Sequence, residues 1–423
     1  MNNSNDSLPM ASVKAWFCGH ILLDKSVKAL KKLGWTEQML RTYPESVPAS
    51  RRVESEDYEL MTNVFYPSFI DSMANHTDLR GKEVKLCRGY RGKHHLSRRP
   101  AVREIECGDD ARVKVAVELI HLFIMPDGTC LWAVETAYIA PPEQVCAVQS
   151  VLRSFGQPFM PVLEELLNLT PDGRIDQLQL SGSKAKVFQR IDSADDSPER
   201  IFEFGCMLPY GSMTPGASTS GMARSYYDRI IGANLVTIWA DWSALALVDS
   251  FTILGKHASV WDENFYCYFR FIYLNSLYQK VSLQKISRAY RSGDNSYHLA
   301  QRLRETLDTN HWYGFTQISH NFMPQLIYNA IDKGMEVSLE RKELAARVAE
   351  STAAREKQSD RNTNTLLTLV AIFSVMSVLF DLSQYLSQYW NLPIEVSKWA
   401  TIAVFPSLLI IWLLLRLIRR FRQ

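Results

Sequence analysis

Between Met335 and Pro393 the chain contains neither proline nor glycine. That stretch can run as one helix with no interior breaker. Its first half, "MEVSLERKELAARVAESTAAREKQSDRN", is rich in Ala, Glu, Arg, Lys and Leu, all good helix formers. Its second half is apolar, with no charged residue from Leu366 to Phe380. A second charge-free run extends from Trp399 to Leu415. Each run is a little shorter than the roughly 20 residues that cross a bilayer, and flanking Thr, Ser, Tyr and Leu bring both to length. Two such runs side by side predict two transmembrane helices rather than a buried globular hairpin.

Basic residues set the expected orientation. Arg355, Lys357 and Arg361 precede the first run, and Arg416, Arg419, Arg420 and Arg422 follow the second. The connecting segment, Asp381 to Lys398, holds one lysine and two acids. The positive-inside rule then predicts both flanks in the cytoplasm, with Tyr385, Tyr389, Trp390 and Trp399 near the outer interface. Seven cysteines without a CxxC pair agree with a reducing compartment for the large N-terminal part. No basic n-region leads into an apolar run at the start, so no cleavable signal is expected. With a formal net charge of +2, bulk charge points to no class of partner, and no nucleic-acid partner is expected.

Residues 1–215 read as a cytoplasmic α/β domain. "VKVAVELIHLFIM", "PDG" and "TCLWAVETAYI" predict a hairpin, two β-rich runs around a turn. "AWFCGHILL", "QLQLSGSKAKVFQRI" and "RIFEFGCML" read as further strands. "PPEQVCAVQSVLRSFG" opens with prolines and closes with glycine, as a helix does. "LPYGSMTPGASTSG" reads as a domain boundary or an exposed loop. Residues 216–334 read as a cytoplasmic helical region. The apolar stretch near its start, "ARSYYDRIIGANLVTIWADWSALALVDSFTILG", carries Asp241 and Asp249 and reads as buried soluble structure, not as a span. Helices are expected over "VWDENFYCYFRFIYLNSLYQKVSLQKISRAYRSG", "YHLAQRLRETLD" and from "NFMPQLIYNAI". Residues 335–390 form a long stalk helix continuing into the first span. Residues 391–423 supply the outer loop, the second span and a basic tail. The fold class is thus an α+β domain, a long-helix stalk and two C-terminal transmembrane helices.

Polar and small residues mark one side of the first span: Asn364, Thr368, Ala371, Ser374, Ser377, Asp381, Gln384 and Gln388. Successive gaps are three or four, which gives a stripe on a helix. The mean gap is just under 3.5, so the stripe drifts by about 120° on a straight helix, and a left-handed supercoil absorbs most of that. One face to water and one to lipid or neighbours makes these residues candidate pore lining. Packing of Ser and Thr between helices is the alternative. Asp381 tips the balance, because an ionisable residue at membrane depth marks an ion path or a pairing. It is also the candidate metal-contacting residue.

The segment from Gly81 to Arg103 holds Lys82, Lys85, Arg88, Arg91, Lys93, Arg98, Arg99 and Arg103 against the single acid Glu83. Arg88, Arg91, Lys93, Arg98 and Arg99 are the candidate site for an anionic ligand such as a nucleotide. A solvated loop paired with acids elsewhere is the plainer reading. His94 and His95 are adjacent, point apart and make a poor metal pair. His20, His121 and His257 lie in apolar surroundings and read as satisfied core residues. No GxSxG, HExxH, Walker A or GxGxxG motif occurs, so no enzyme is expected.

This plan resembles the CorA family of divalent-cation channels. "RNTNTLLTLVAIFSVMSVLF" sits where that family has its pore-lining helix, and "LIRRFRQ" sits where it has a basic tail. The resemblance covers the chain from about Trp261 onward and is loose before it. It implies a homopentamer in a bacterial inner membrane. It implies passive conduction of divalent or other cations, gated by the cytoplasmic domain, with magnesium as a permeant or gating ion and no other cofactor. The chain departs from the family in having "FDLSQYLSQYW" where Gly-Met-Asn follows the first span, so magnesium selectivity is not implied. A second reading keeps the pore and opens it with an anionic second messenger, as a signalling or defence effector.

Overall fold

The computed structural model describes residues 10–23, 26–37, 61–73, 94–107, 113–125, 128–167, 184–214, 222–256, 265–291 and 314–389, together with Glu395 and Trp399. The chain divides into two compact units, and the division falls after Ala345.

The first unit is built on a ten-stranded sheet. Its strands are β1 (Ala11–Leu22), β2 (Thr36–Glu37), β3 (His94–Arg98), β4 (Glu104–Cys107), β5 (Val113–Ile124), β6 (Thr129–Ala140), β7 (Lys186–Asp192), β8 (Leu235–Trp239), β9 (Trp242–Ala246) and β10 (Ser250–Gly255). Their order across the sheet is β2-β3-β5-β6-β1-β7-β10-β9-β8, with β4 also on β5. Every pairing is antiparallel except that of β7 with β10. The expected hairpin is present: β5 and β6 pair from Ala116↔Ala137 to Ile124↔Cys130, and Gly128 takes the left-handed φ of 81° that closes the turn.

Helices named in chain order are α1 (Val27–Lys32), α2 (Pro67–Met73), α3 (Pro142–Arg153), α4 (Met160–Leu167), α5 (Pro198–Cys206), α6 (Arg224–Asn234), α7 (Arg270–Arg291), α8 (Phe322–Met335) and α9 (Val337–Tyr389). One face of the sheet, with Val13, Phe17, Leu122, Val134, Val187 and Leu254, forms a continuous core with α3, α4 and α5. Alternate residues of each strand point to opposite sides, and the central strands carry apolar residues at odd and even positions alike, so each face has buried apolar side chains, with some buried polar groups on the second. The second face is covered by a π-helical turn (Phe265–Phe269) and by α7. There Phe188 stacks on Phe265 at 4.3 Å and meets Tyr273 at 5.0 Å. Helix α8 lies on β9, so close that a Cβ on Gly334 would stand 2.5 Å from the Ala246 carbonyl oxygen.

Three local expectations change. "RIFEFGCML" is helix α5, not a strand. Ser197 precedes it, Pro198 opens it, Glu199 lies in its first turn, and Met207 ends it in the left-handed conformation. Its residues from Ile201 to Gly205 are all buried, and such a short apolar run carries no period that separates strand from helix. The chain after Met222 is not only helical: Leu235–Gly255 supplies β8, β9 and β10, so the sheet takes strands from both sides of residue 215. Asp241 and Asp249 sit at the turns of these strands, which is how two acids fit inside an apolar run. The loop from Leu208 is in part internal. Glu203, fully buried, accepts the amides of Gly211 and Met213 at 3.0 and 2.7 Å, and Arg200 pairs with it. Residues 215–221, the helix expected over 297–308 and all of the second expected span but Trp399 lie outside the described residues.

Helix α9 begins in the first unit, where Val337 and Leu344 are buried, and is continuous for 53 residues. Glu336, at φ 58°, separates it from α8. Its segment Ser359–Tyr389 is long and apolar enough to cross a membrane, and none of its apolar window is buried. It is the single such helix among the described residues.

Gly19 on β1 sits under the Trp132 indole, where a Cβ would stand 2.7 Å from three ring atoms. Trp132 is itself fully buried and cannot swing away. Gly19→Ala is expected to cost about 1–3 kcal/mol, the penalty for overpacking a full core, read as a lower denaturant midpoint in the near-ultraviolet circular dichroism.

Candidate functional site

The polar stripe lies wholly on α9. Asn364, Ala371, Ser374, Ser377, Asp381, Gln384 and Gln388 are exposed on this chain, and Thr368 is half-buried. Thr368 donates its hydroxyl to the Asn364 carbonyl at 2.7 Å, one turn back, and Thr365 does the same to Arg361 at 2.8 Å. Such back-bonding satisfies a hydroxyl without leaving the helix. The opposite positions, among them Leu366, Leu367, Val370, Phe373, Val378 and Phe380, are exposed apolar side chains. A helix of this kind, polar along one line and apolar elsewhere, needs partners or lipid around it.

Of the basic stretch, Arg88, Arg91 and Lys93 lie outside the described residues. Arg98 ends β3 and pairs with Glu165 of α4 at 3.1 Å, and Glu165 also accepts the Ala101 amide at 2.7 Å. Arg99 is exposed. Arg98 is thus already matched to an acid, although not one from the "EIECGDD" segment. His94 and His95 point apart as alternation requires. His94 meets Glu37 at 2.9 Å, and His95 turns inward.

The inward side holds an arrangement of buried polar groups on the sheet face beneath α7. His95 Nε2 lies 3.1 Å from His121 Nδ1, and His121 Nε2 lies 3.1 Å from Glu135 Oε2. All three are buried, His121 completely. The strand registers explain the proximity. His95 of β3 is opposite Phe123 of β5, two residues from His121, and Glu135 of β6 is opposite Leu119 of β5 and Trp16 of β1. The rings are held flat by stacking: Trp16 on His121 at 4.5 Å and His95 on Phe123 at 4.2 Å. The Arg270 guanidinium of α7 stands 5.3 Å from the Trp16 ring centre, a cation–π arrangement. The register shift between Val117 and Leu119 is a β-bulge, which sets Glu118 beside Leu119 against the single residue Glu135.

Burial decides the charge states. It pushes the His121 imidazole below its usual range, against the opposing pull of Glu135. Burial and the neighbouring Glu135 carboxylate together push Glu118 upward. Lys14 is lowered by burial and by Arg190. His20, elsewhere on the same face, is lowered to about 4 by burial and by the charges of Lys285 and Arg288. Among the described residues no group of three or more His, Cys, Asp or Glu is arranged to hold a metal ion.

The reading of His20 and His121 as core residues holds for their position, while His257 lies outside the described residues. Glu135 and Glu118 were not anticipated. The available signal was an acid inside "LWAVETA", on the strand face shared with Leu131 and Ala133, which requires a buried partner. The chain matches no family model, no curated protein and no solved structure.

The lowered histidines predict acid sensitivity. In the unfolded chain each histidine binds its proton near pH 6.5, whereas the folded state keeps His20 neutral down to about 4. Below about pH 6.5 the unfolded state therefore binds more protons, and stability falls with pH. For His20 the loss across that window is on the order of 3 kcal/mol. His20→Gln is expected to make the plot of denaturant midpoint against pH shallower between about pH 6.5 and 4.

Proposed function

We propose that the chain is a CorA-like, homopentameric cation channel of a bacterial inner membrane, with two spans and both flanks in the cytoplasm. It conducts divalent or other cations passively and is gated by its sheet domain. One observation carries this reading. Helix α9 runs without a break from a charged segment into an apolar one whose polar residues keep to a single line. Several copies of such a helix bury the polar line around water and turn the apolar faces to lipid and to the second span. The lining runs from Asn364 through Thr368, Ala371, Ser374 and Ser377 to Asp381, Gln384 and Gln388. A ring of Asp381 carboxylates concentrates cations at the mouth, because the copies repel one another and a cation relieves the repulsion.

A second reading, a membrane effector pore opened by a nucleotide messenger, draws on two features of the sequence. Gly-Met-Asn is missing after the first span, and the stretch around Arg88, Arg91, Lys93, Arg98 and Arg99 is strongly basic. Calorimetry of the full chain with a nucleotide panel separates the two, since only the second requires binding.

The channel reading predicts a native mass of five copies in detergent, and a stable monomer or dimer overturns it. Asp381→Asn keeps the side-chain shape and removes the charge. It is expected to leave assembly unchanged and to collapse the cation-over-anion reversal potential measured across liposomes under a salt gradient. Identical reversal potentials for both proteins would move the selectivity element deeper, to Ser377, Ser374, Thr368 or Asn364.

A further inference from the structure

The end of the sheet where β1 stops and β6 starts gathers positive charge. In the β1–β6 register Leu22 stands opposite Thr129 and His20 opposite Leu131. His20, Thr129 and Leu131 therefore share the face beneath α7. The last turns of α7 lie over them. Lys285 donates from Nζ to Thr129 Oγ1 at 2.6 Å, and Arg288, three residues on, projects from the same side of the helix. Both cations act on His20, which is buried and whose Nδ1 has no hydrogen-bond partner. Arg288 is exposed and forms no ion pair among the described residues. The neighbouring groups of β1 and β6 on this face, Cys18, Leu131 and Ala133, carry no charge. Glu37, the acid on the outer strand of this end, is engaged by Lys31 and His94. Asp24 and Asp127, in the turns that adjoin β1 and β6, lie outside the described residues. Across the sheet His94 is in line with Ile124, Cys130 and Ile21. The basic stretch from Gly81 to Lys93 thus joins β3 at this same end, three strand spacings or about 14 Å from β1.

We propose that Lys285 and Arg288, standing over His20, form a site for a phosphoryl group carried by a nucleotide or by an anionic lipid headgroup. Ammonium and guanidinium groups supply donors only, and a phosphoryl group supplies acceptor oxygens. The Arg288 fork can take two of these oxygens by parallel N–H bonds, and Lys285 meets a third as a point charge. Thr129 acts as a positioning residue, because its hydroxyl holds the Lys285 ammonium over the β5–β6 turn. His20 forms the floor and gives the site a link to protons. Burial and the charges of Lys285 and Arg288 keep its imidazole neutral down to about pH 4. A bound anion offsets those two charges, so His20 gains its proton at a higher pH. By linkage, protonation of His20 tightens binding by the same factor. The site belongs to the sheet domain and stands whether or not α9 lines a pore. A nucleotide-opened pore requires such a site, but the site does not require the pore.

The test follows His20 in the full chain labelled with ¹⁵N-histidine, with His20→Gln to assign its signal and the exposed His320 as the internal control. One arm adds inorganic phosphate or ATP to the chain in uncharged detergent at constant ionic strength. The other compares phosphatidylglycerol with phosphatidylcholine vesicles, without added phosphate. The expected result is that the anion raises the pH at which His20 gains its proton by about 1–3, the effect of an opposite charge at close range, while His320 stays in place. Arg288→Gln, at an exposed position, should raise the anion-free midpoint, because a like charge is gone, and should abolish the further rise on adding anion. Lys285→Gln should do the same. A response to phosphate or ATP in detergent assigns the site to a free ligand, and a response to phosphatidylglycerol alone assigns it to a headgroup. The proposal is overturned if no anion moves His20, if His320 moves as far, or if the rise survives Arg288→Gln. It is equally overturned if His20 titrates near its ordinary pH of about 6.5 with no anion added, as it would with a carboxylate of the chain already seated on the two cations.

Discussion

Twelve residues of β1 pair without interruption with twelve residues of β6, from Ala11↔Ala140 to Leu22↔Thr129, and β7 pairs along the other edge of β1. The rest of the sheet domain depends on this ladder. Because side chains alternate, its register decides in one step which residues join the core under α3, α4 and α5 and which lie beneath α7. A slip of one position would send Phe17 and Val134 to the face beneath α7 and bring Lys14 and Glu135 into the core under α3, α4 and α5. Gly19 shows how tightly the register is tied to packing, since its missing side chain is the space that Trp132 occupies. The parallel pairing of β7 with β10 extends the sheet beyond this centre, and the pair Arg153–Asp249 joins the end of α3 to the residue before β10 at 2.5 Å.

Where a period is long or a turn is chemically marked, the sequence is informative. The β5–β6 hairpin, α3 with its opening prolines, and the long α9 without proline or glycine could all be read from residues alone. Helix α5 could not, because four apolar residues in nine fit either a strand or a helix, and only Ser197 and Pro198 marked a helical start. The strands β8 to β10 were hidden by the same ambiguity in an almost continuously apolar stretch. Part of the polar file was legible: His94 and His95 had to point apart. Its assembly was not, since His95, His121 and Glu135 come from three strands whose register no local pattern reveals. The bulge at Glu118 has no sequence signature either, because β5 carries no glycine there. The line from Asn364 to Gln388 was legible throughout, for it depends only on helical spacing.

The molecule keeps polar chemistry in two different settings. On α9 the polar groups are open on a single chain, and Thr368 and Thr365 are satisfied by their own backbone. Beneath α7 they are closed off, and each must be satisfied by another side chain. A lost partner costs little in the first setting. In the second it leaves a buried donor or acceptor unmatched, at a cost of about 1–3 kcal/mol. Substitutions along the outward line are therefore probes of what the helix does, whereas substitutions in the enclosed file are also probes of whether the sheet holds.

Glu336, the single left-handed residue between α8 and α9, gives the long helix a mounting at one end. There Ser338 hydrogen-bonds Asp332 at 2.9 Å, and Lys280 of α7 pairs with Glu340 at 2.7 Å. The first turn of α9 is thereby fixed to α7 and α8 by side-chain pairs as well as by the chain itself, so a substitution at Ser338 or Lys280 acts on the start of a 53-residue helix rather than on a loop.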